Sequence, residues 1–528
     1  MVELGNRIET DVLIIGCGIA GATAALRLAE DPNCQITLVT KVDSILETNT
    51  YYAQGGIIYR GDEDSPEQLA EDLNRAGDQL NNPEAVHILA TEGPQLVREL
   101  LIEEYQVPFT VDASNHLEFT REAAHSTSRI LHVHDATGRA IQEKLSAALL
   151  ARPNIHLLTK HVAIDLLTPS HHSTDKRHVY QPLSCVGAYV YDRDGDRVLT
   201  ILARATILAA GGLGQVFLHT TNPDGATGDG MAMADRAGAR IVNAEYVQFH
   251  PTAFYFRGEA RFLISEALRG EGALLLNAAG ERFMERYAPQ WKELAPRDVV
   301  ARSIHEEMLR TDSPCMYLDI ASVMAPDEIR SRFPTIHESC QEFGIDPTKH
   351  RIPVVPAAHY ACGGVWVDAW GRTSLERLYA AGEVTCTGVH GANRLGSASL
   401  LEGLVWGDRA ARDIQRRMER WTQIDPSYIP DWESPKDAEP ADPALISHDM
   451  ATIKHTMWYY AGLVRSQRRL DRALRDLANL RHDIDAFYRV NRIDTAIIEL
   501  RNAALAAIIV ARAAWENRES AGCHYRTD

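Results

Sequence analysis

An α/β fold is predicted by three features of the sequence: a Rossmann-like domain, interrupted by an inserted α+β capping domain and followed by a C-terminal helical bundle. Near the start, an apolar strand runs into a glycine-rich turn and a helix of small residues. Far downstream a second short strand, Leu378-Tyr-Ala-Ala-Gly-Glu383, ends in the same glycine-rich manner, so the region before it reads as an insertion. A proline-spaced stretch (Pro426, Pro430, Pro435, Pro440, Pro443) then leads into leucines at helical spacing, Leu463, Leu470, Leu474 and Leu477. A chain of 528 residues exceeds what one hydrophobic core ordinarily serves. The expected units are 1–243 and 356–424 for the two parts of the nucleotide-binding domain, 244–355 for the cap and 425–528 for the helical domain.

Val12 to Ile15 form the first strand, and Gly16, Gly18 and Gly21 follow it. Glycine at the first position permits the tight turn, at the second a close approach of backbone to a pyrophosphate, and at the third close packing of helix on strand. A bare G-x-G-x-x-G carries little weight, but one between a strand and a helix marks a dinucleotide site. The second strand, Gln35 to Lys41, ends in Thr40-Lys41, where a nicotinamide-dinucleotide pocket usually places an acidic residue for the ribose. That departure, with the late strand closing at Glu383, points to FAD. The loop Glu47 to Gly56 is polar and glycine-rich and offers backbone N–H groups to a ring or phosphate.

Residues 60 to 150 read as mostly helical. Strands follow from 155 and end in Ala205-Thr-Ile-Leu-Ala-Ala-Gly-Gly212, a second wall for the flavin nucleotide. Thr220 to Gly230 is loop, with an alanine-rich helix to Gly238. The stretch from Val247 to about 350 is less regular and reads as the insertion, and the chain re-enters the first domain at His359. In the helical tail, Arg465, Arg468, Arg469, Arg472 and Arg475 form a basic run that reads as a solvated face or an interdomain contact.

A formal net charge of −18 repels nucleic acid and anionic membrane at long range, so neither is an expected partner and an anionic substrate needs a local cationic pocket. Eight cysteines without a C-x-x-C pair suggest neither a disulfide framework nor an iron–sulfur or zinc site. With no signal-like N-terminus and no apolar run long enough to span a bilayer, a cytoplasmic protein is expected.

His250, Arg297, His359 and Arg394 stand in loop-like contexts, and together they suit a small dicarboxylate, because guanidinium forks match carboxylates in geometry and charge. Arg297 follows Pro296 at an expected helix start, where positive charge is disfavoured. This makes Arg297 a candidate for moving a proton; a purely electrostatic role is the alternative, since arginine is ordinarily protonated throughout.

Taken together, these motifs resemble the succinate dehydrogenase/fumarate reductase flavoprotein family. The matching stretches are Gly16 to Gly21, the Ala-Gln-Gly-Gly loop ending at Gly56, Ala209-Ala-Gly-Gly212, Gln248-Phe-His-Pro-Thr252, Ser265-Glu-Ala-Leu-Arg-Gly-Glu-Gly272, Leu294-Ala-Pro-Arg-Asp298, Pro356-Ala-Ala-His359 and Gly391-Ala-Asn-Arg394. The resemblance implies that His250, His359 and Arg394 bind substrate carboxylates, that Ser265 and Glu266 stand at the substrate loop, and that Arg297 transfers the proton. The family's membrane enzymes attach FAD through a histidine where this chain has Asn49, so FAD is expected to be non-covalent. Glu122 matches an acidic residue that reads a substrate ammonium group, which points to L-aspartate as substrate, with dioxygen or fumarate as acceptor.

The product would enter quinolinate and NAD synthesis, with transient contact to quinolinate synthase. The expected cofactor contacts are Gly16, Gly18, Gly21, Lys41, Thr48, Asn49, Ala53, Gln54, Gly55, Gly56, Ala210, Gly211, Asp229, Glu383, Ser397, Ser399 and Leu400; no metal is expected. The alternatives are a soluble fumarate reductase or succinate dehydrogenase flavoprotein, or a non-catalytic flavoprotein that docks an electron-transfer partner.

Overall fold

The computed structural model describes residues 2–528 apart from 62, 123, 135, 436 and 437. Its centre is an eight-stranded sheet. The strands Ile155–Leu158, Ile36–Val39, Arg7–Ile15, Arg197–Leu208 and Leu378–Ala380 run parallel, and Gly187–Asp192 and His161–Leu166 extend the sheet antiparallel. The first strand is longer than its apolar run suggests: it begins at Arg7 and pairs with a short strand at Val2–Leu4. Full burial of Val12 to Ile14 explains why only that half reads as unbroken apolar sequence.

Helix Ile19–Leu28 lies against Ala398–Arg417, the helix that follows the late strand. The crossing is close because Gly403 and Gly407 face it. A Cβ on Gly403 would stand 2.9 Å from the Ile19 side chain, and one on Gly407 2.5 Å from the Ala20 carbonyl. The two ends of the nucleotide-binding half are thus locked together across the whole insertion.

The region read as helical from 60 to 150 divides. Helices occupy Pro66–Ala76, Pro83–Leu96 and Thr137–Leu150, with a wider-wound continuation at Val97–Glu104. Between them, Phe119–Thr120 and Ile130–Leu131 are short strands that pair with Ile57–Ile58 into a small sheet. Buried Arg129, paired with Asp64 and Asp72 at 2.9 Å each, fastens this segment to the preceding helix. Charge at helical spacing there served an ion-pair cluster instead of a helix.

The inserted region is built on a five-stranded antiparallel sheet: Glu259–Leu263, Val247–Phe256, Ile352–Ala361, Met316–Asp319 and Leu274–Leu276. The expected boundary between 355 and 356 therefore falls inside a strand, and His359 belongs to the cap sheet, not to the re-entering domain. Pro353 and Pro356 break the strand signal in the sequence, although both sit within Ile352–Ala361.

Three C-terminal helices, Pro443–Tyr460, Gln467–Val490 and Thr495–Glu516, pack on one another and on Leu213, Val216 and Phe217 of the nucleotide-binding half. The proline-spaced stretch before them is strapped to the main sheet: Ile429 is buried against Val162 and Tyr189, and the Tyr189 hydroxyl donates to the Pro430 carbonyl at 2.8 Å. In the basic run, Arg465 is fully buried and donates to the Glu245 carbonyl at 2.8 Å, while Arg472 and Arg475 face solvent.

Candidate active site

A cavity of about 1030 Å³ runs between the nucleotide-binding half and the cap, and every expected site residue except Gly21 lines it. Gly16 takes φ +110°, and a Cβ there would collide with the Ala209 carbonyl. Gly21 has no room for a side chain against the Gly16 carbonyl, which brings the helix close and leaves its N-terminus facing the cavity. Opposite, a Cβ on Gly212 would fall among the Glu383 carboxylate oxygens. Glu383 accepts the Ala361 N–H at 3.1 Å and the Asn49 amide at 2.9 Å, and burial pushes its carboxyl up to about 7. The chain thus leaves space for a long ligand with polar edges, and the cradle fits FAD. Asn49 offers no nucleophile for a covalent bond to it.

Lys41 and Asp229 also face the cavity but are engaged with each other at 2.6 Å. Lys41 further pairs with Glu499 at 2.7 Å, and Asp229 accepts the Asn502 amide at 2.9 Å. Helix Thr495–Glu516 of the tail thereby reaches one end of the cofactor cradle. Ser397 holds the left-handed φ of +57° ahead of helix Ala398–Arg417, and its hydroxyl accepts the Gly56 N–H at 3.1 Å. A non-glycine residue in that conformation costs about 1–3 kcal/mol, which the packed loop 53–56 opposes.

At the cap end, two strands deliver the histidines. Gln248 pairs with Tyr360 and Phe249 with Ala358, so His359 is the extra residue of a β-bulge, a device that re-aims a side chain. His250 and His359 stand with ring centroids 5.5 Å apart. The Thr252 N–H donates to His250 Nδ1 at 3.2 Å, which leaves Nε2 as the protonated nitrogen of the neutral ring. Burial first, and then Arg297 and Arg269, hold His250 well below its ordinary range; burial, Arg394 and His250 do the same to His359. Both rings are neutral N–H donors at pH 7.

Arg394 donates to Ser399 Oγ at 3.0 Å and Gln248 Oε1 at 3.1 Å, and its buried Nε has no partner among the described residues. Burial and the nearby Arg297 make its charge harder to hold. Arg297 is the first residue of helix Arg297–Thr311, and its Nε donates to Glu266. Burial opposes its charge, but Glu266 and then Glu122 outweigh that and hold Arg297 above the usual arginine range. Ser265 lines the same wall, its hydroxyl capping the Ala267 N–H at 3.3 Å.

Glu122 is wedged between two glycines. A Cβ on Gly55 would lie 2.8 Å from Glu122 Oε1, and one on Gly396 would collide with Oε2 and lie 3.4 Å from Arg297 Nη2. Its carboxylate is thus directed at the cavity beside Arg297, while Arg129 is taken by Asp64 and Asp72. Gly396 went unnoticed in the sequence, although a glycine two residues after Arg394 was its signal. Arg269 was missed too: fully buried, it reaches Glu266 at 3.7 Å, and its Nε and Nη2 have no hydrogen-bond partner among the described residues. It sits in the quoted Ser265–Gly272 stretch, but nothing local distinguishes it from a surface arginine.

Residues 11–400 match the family described as FAD binding domain, and residues 450–528 the one described as fumarate reductase flavoprotein C-term. The chain is 44 % identical to an L-aspartate oxidase of Pseudomonas aeruginosa over 533 aligned residues, covering 99 % of this chain and 96 % of that one. It is 44 % identical to the L-aspartate oxidase of Yersinia pestis, over 98 % and 96 % of the two chains. Among solved structures, an Escherichia coli quinol fumarate reductase chain superposes with a TM-score of 0.87 at 27 % identity, over 99 % of this chain and 92 % of that one.

Proposed function

The chain belongs to the L-aspartate oxidase family, and from that premise we propose how its own residues carry out the family's reaction, the FAD-dependent oxidation of L-aspartate to iminoaspartate that leads into NAD synthesis. FAD bound in the cradle supplies the two-electron acceptor for the hydride lost by the substrate. The protein's part is to hold aspartate, exclude water and move the accompanying proton.

Arg394, His250 and His359 clamp the two carboxylates. Arg394 brings the in-plane N–H donors that Ser399 and Gln248 leave over, and the neutral imidazoles bring N–H donors that need no protonation. Ser265 adds a hydroxyl from the cap wall. Glu122 takes the ammonium group, and it is the observation that carries this reading: a carboxylate inside a clamp for anions costs affinity for any substrate without a positive charge. Succinate and fumarate lack one.

Glu266 and Glu122 hold Arg297 in its charged form, so it accepts a proton only by losing another. Its Nε–H already points to Glu266, which makes the two a couple: as a guanidinium nitrogen takes the substrate proton, Nε passes its own to Glu266. Arg269 behind Glu266 favours the carboxylate and resets the couple. Arg269 is fully buried and the Arg297 and Glu266 side chains are only 17 % and 19 % exposed, so these charges meet largely out of water, where fixed dipoles act strongly.

Dioxygen or fumarate then takes the electrons from the reduced cofactor. We place the enzyme in the cytoplasm, away from membranes, handing its unstable imine to quinolinate synthase. A net charge of −18 supports this, as does the lack, among the described residues, of a helix long and apolar enough to cross a bilayer. The test is an anaerobic titration of the FAD-loaded protein. L-Aspartate should bleach the flavin absorbance at lower concentration than succinate does; bleaching by succinate alone would overturn the substrate. After acid precipitation the flavin should stay in the supernatant.

A further inference from the structure

Behind the Arg394 guanidinium lies a set of buried groups that the reaction does not itself use. The guanidinium stands over the Tyr360 ring at 4.6 Å. The Tyr360 hydroxyl donates to Glu402 Oε2 at 2.7 Å. The same carboxylate accepts the Thr387 hydroxyl at 2.6 Å and His390 Nε2 at 2.9 Å, and Glu402 is 1 % exposed. Burial opposes its charge, but His390 and the converging hydrogen bonds hold it below the ordinary carboxylate range; burial and Glu402 push the Tyr360 hydroxyl well above 10. The order is therefore an ionised carboxylate, a neutral phenol and a cation.

This order answers a problem of substrate binding. Arg394 must stay charged next to Arg297, yet a carboxylate placed directly on it would compete with the substrate for the same N–H donors. An aromatic face attracts a cation without occupying the donors in the guanidinium plane. A phenol donating to an anion gains electron density, so the carboxylate behind it deepens that attraction. We propose that Glu402 and Tyr360 are positioning residues for Arg394, compensating its charge through the ring while taking up none of its in-plane N–H donors. The proposal rests on Arg394 being a carboxylate-binding residue of the site above.

Two probes read it. In anaerobic stopped-flow reduction of the FAD-loaded enzyme, Tyr360→Phe and Glu402→Gln should each raise the half-saturating aspartate concentration about fivefold and change the limiting rate less than twofold. Tyr360→Phe keeps the ring and loses only the link to Glu402, so the double variant should also show about fivefold, not the roughly 25-fold product expected of independent sites. In an Arg394→Lys background neither change should weaken binding further. Unchanged half-saturation in Tyr360→Phe, a multiplicative double variant, or the full loss persisting without Arg394 would each overturn the proposal.

If Glu402→Gln does not retain FAD, Tyr360→Phe alone and with Arg394→Lys decides. Succinate binding, followed by perturbation of the flavin spectrum, should show the same fivefold loss, because it presents the same two carboxylates. A wild type blind to aspartate but perturbed by succinate would overturn the substrate and leave the positioning test readable.

Discussion

The two halves of the substrate chamber differ in how their charges are compensated. On one side Arg297 touches Glu266, with Arg269 behind it, and Glu122 nearby. On the other, Arg394 has an aromatic face, a serine and an amide, and the two histidines are neutral. A cation already paired with a carboxylate has little to gain from a second one, and it has a partner to which a proton can go. A buried cation without such a partner gains most when a carboxylate ligand arrives. The paired half is suited to proton movement and the unpaired half to binding.

The sharpest way to break this contrast is Arg297→Ala, which should lower turnover about 10³-fold while FAD and substrate binding persist. Arg297→Lys refines it: a variant within tenfold of wild type would mean that charge suffices and that the Nε–H to Glu266 transfer is not needed. Next, Arg394→Ala should weaken aspartate and succinate alike, about 100-fold in half-saturating concentration, with the limiting rate of flavin reduction less affected. A fall in limiting rate alone would reverse the assignment of the halves.

Glu122→Gln should raise the half-saturating aspartate concentration about tenfold and leave succinate bound as well or better, as competition titrations would show. The smallest effect concerns pH. His250 and His359 are held well below 6.5 by burial, so dicarboxylate affinity should stay flat from pH 8 to pH 6. Affinity that rises as pH falls through that range would show that imidazolium, not imidazole, binds the carboxylates. The same depression fixes the sign for stability. Below about 6.5 the unfolded chain binds protons that the folded chain refuses, so stability is lost as pH falls below that value; thermal unfolding between pH 7 and 5 checks it.

Much of the molecule was legible because its signals are local. Gly16, Gly18 and Gly21 announce their strand and helix within a dozen residues, and that context, with Thr40-Lys41 and the strand ending at Glu383, led to FAD. The cap boundary was not legible, because Pro353 and Pro356 break the pattern of a strand that exists all the same. Arg269 was not legible either, since an arginine on a helical turn looks the same whether buried or exposed.

By itself, then, the sequence determined the cofactor class, the family and the α/β framework, because strand, turn and helix propensities act over a few residues and survive without knowledge of what packs against them. Only the tertiary structure decided which charges meet. Glu266 neutralises Arg297, Glu402 acts on Arg394 only across a tyrosine, and Glu499 of the tail reaches Lys41. The reason is physical. A charge's partner, its burial and its protonation depend on distances between segments hundreds of residues apart, and those distances exist only after the insertion and the helical tail have closed on the main sheet.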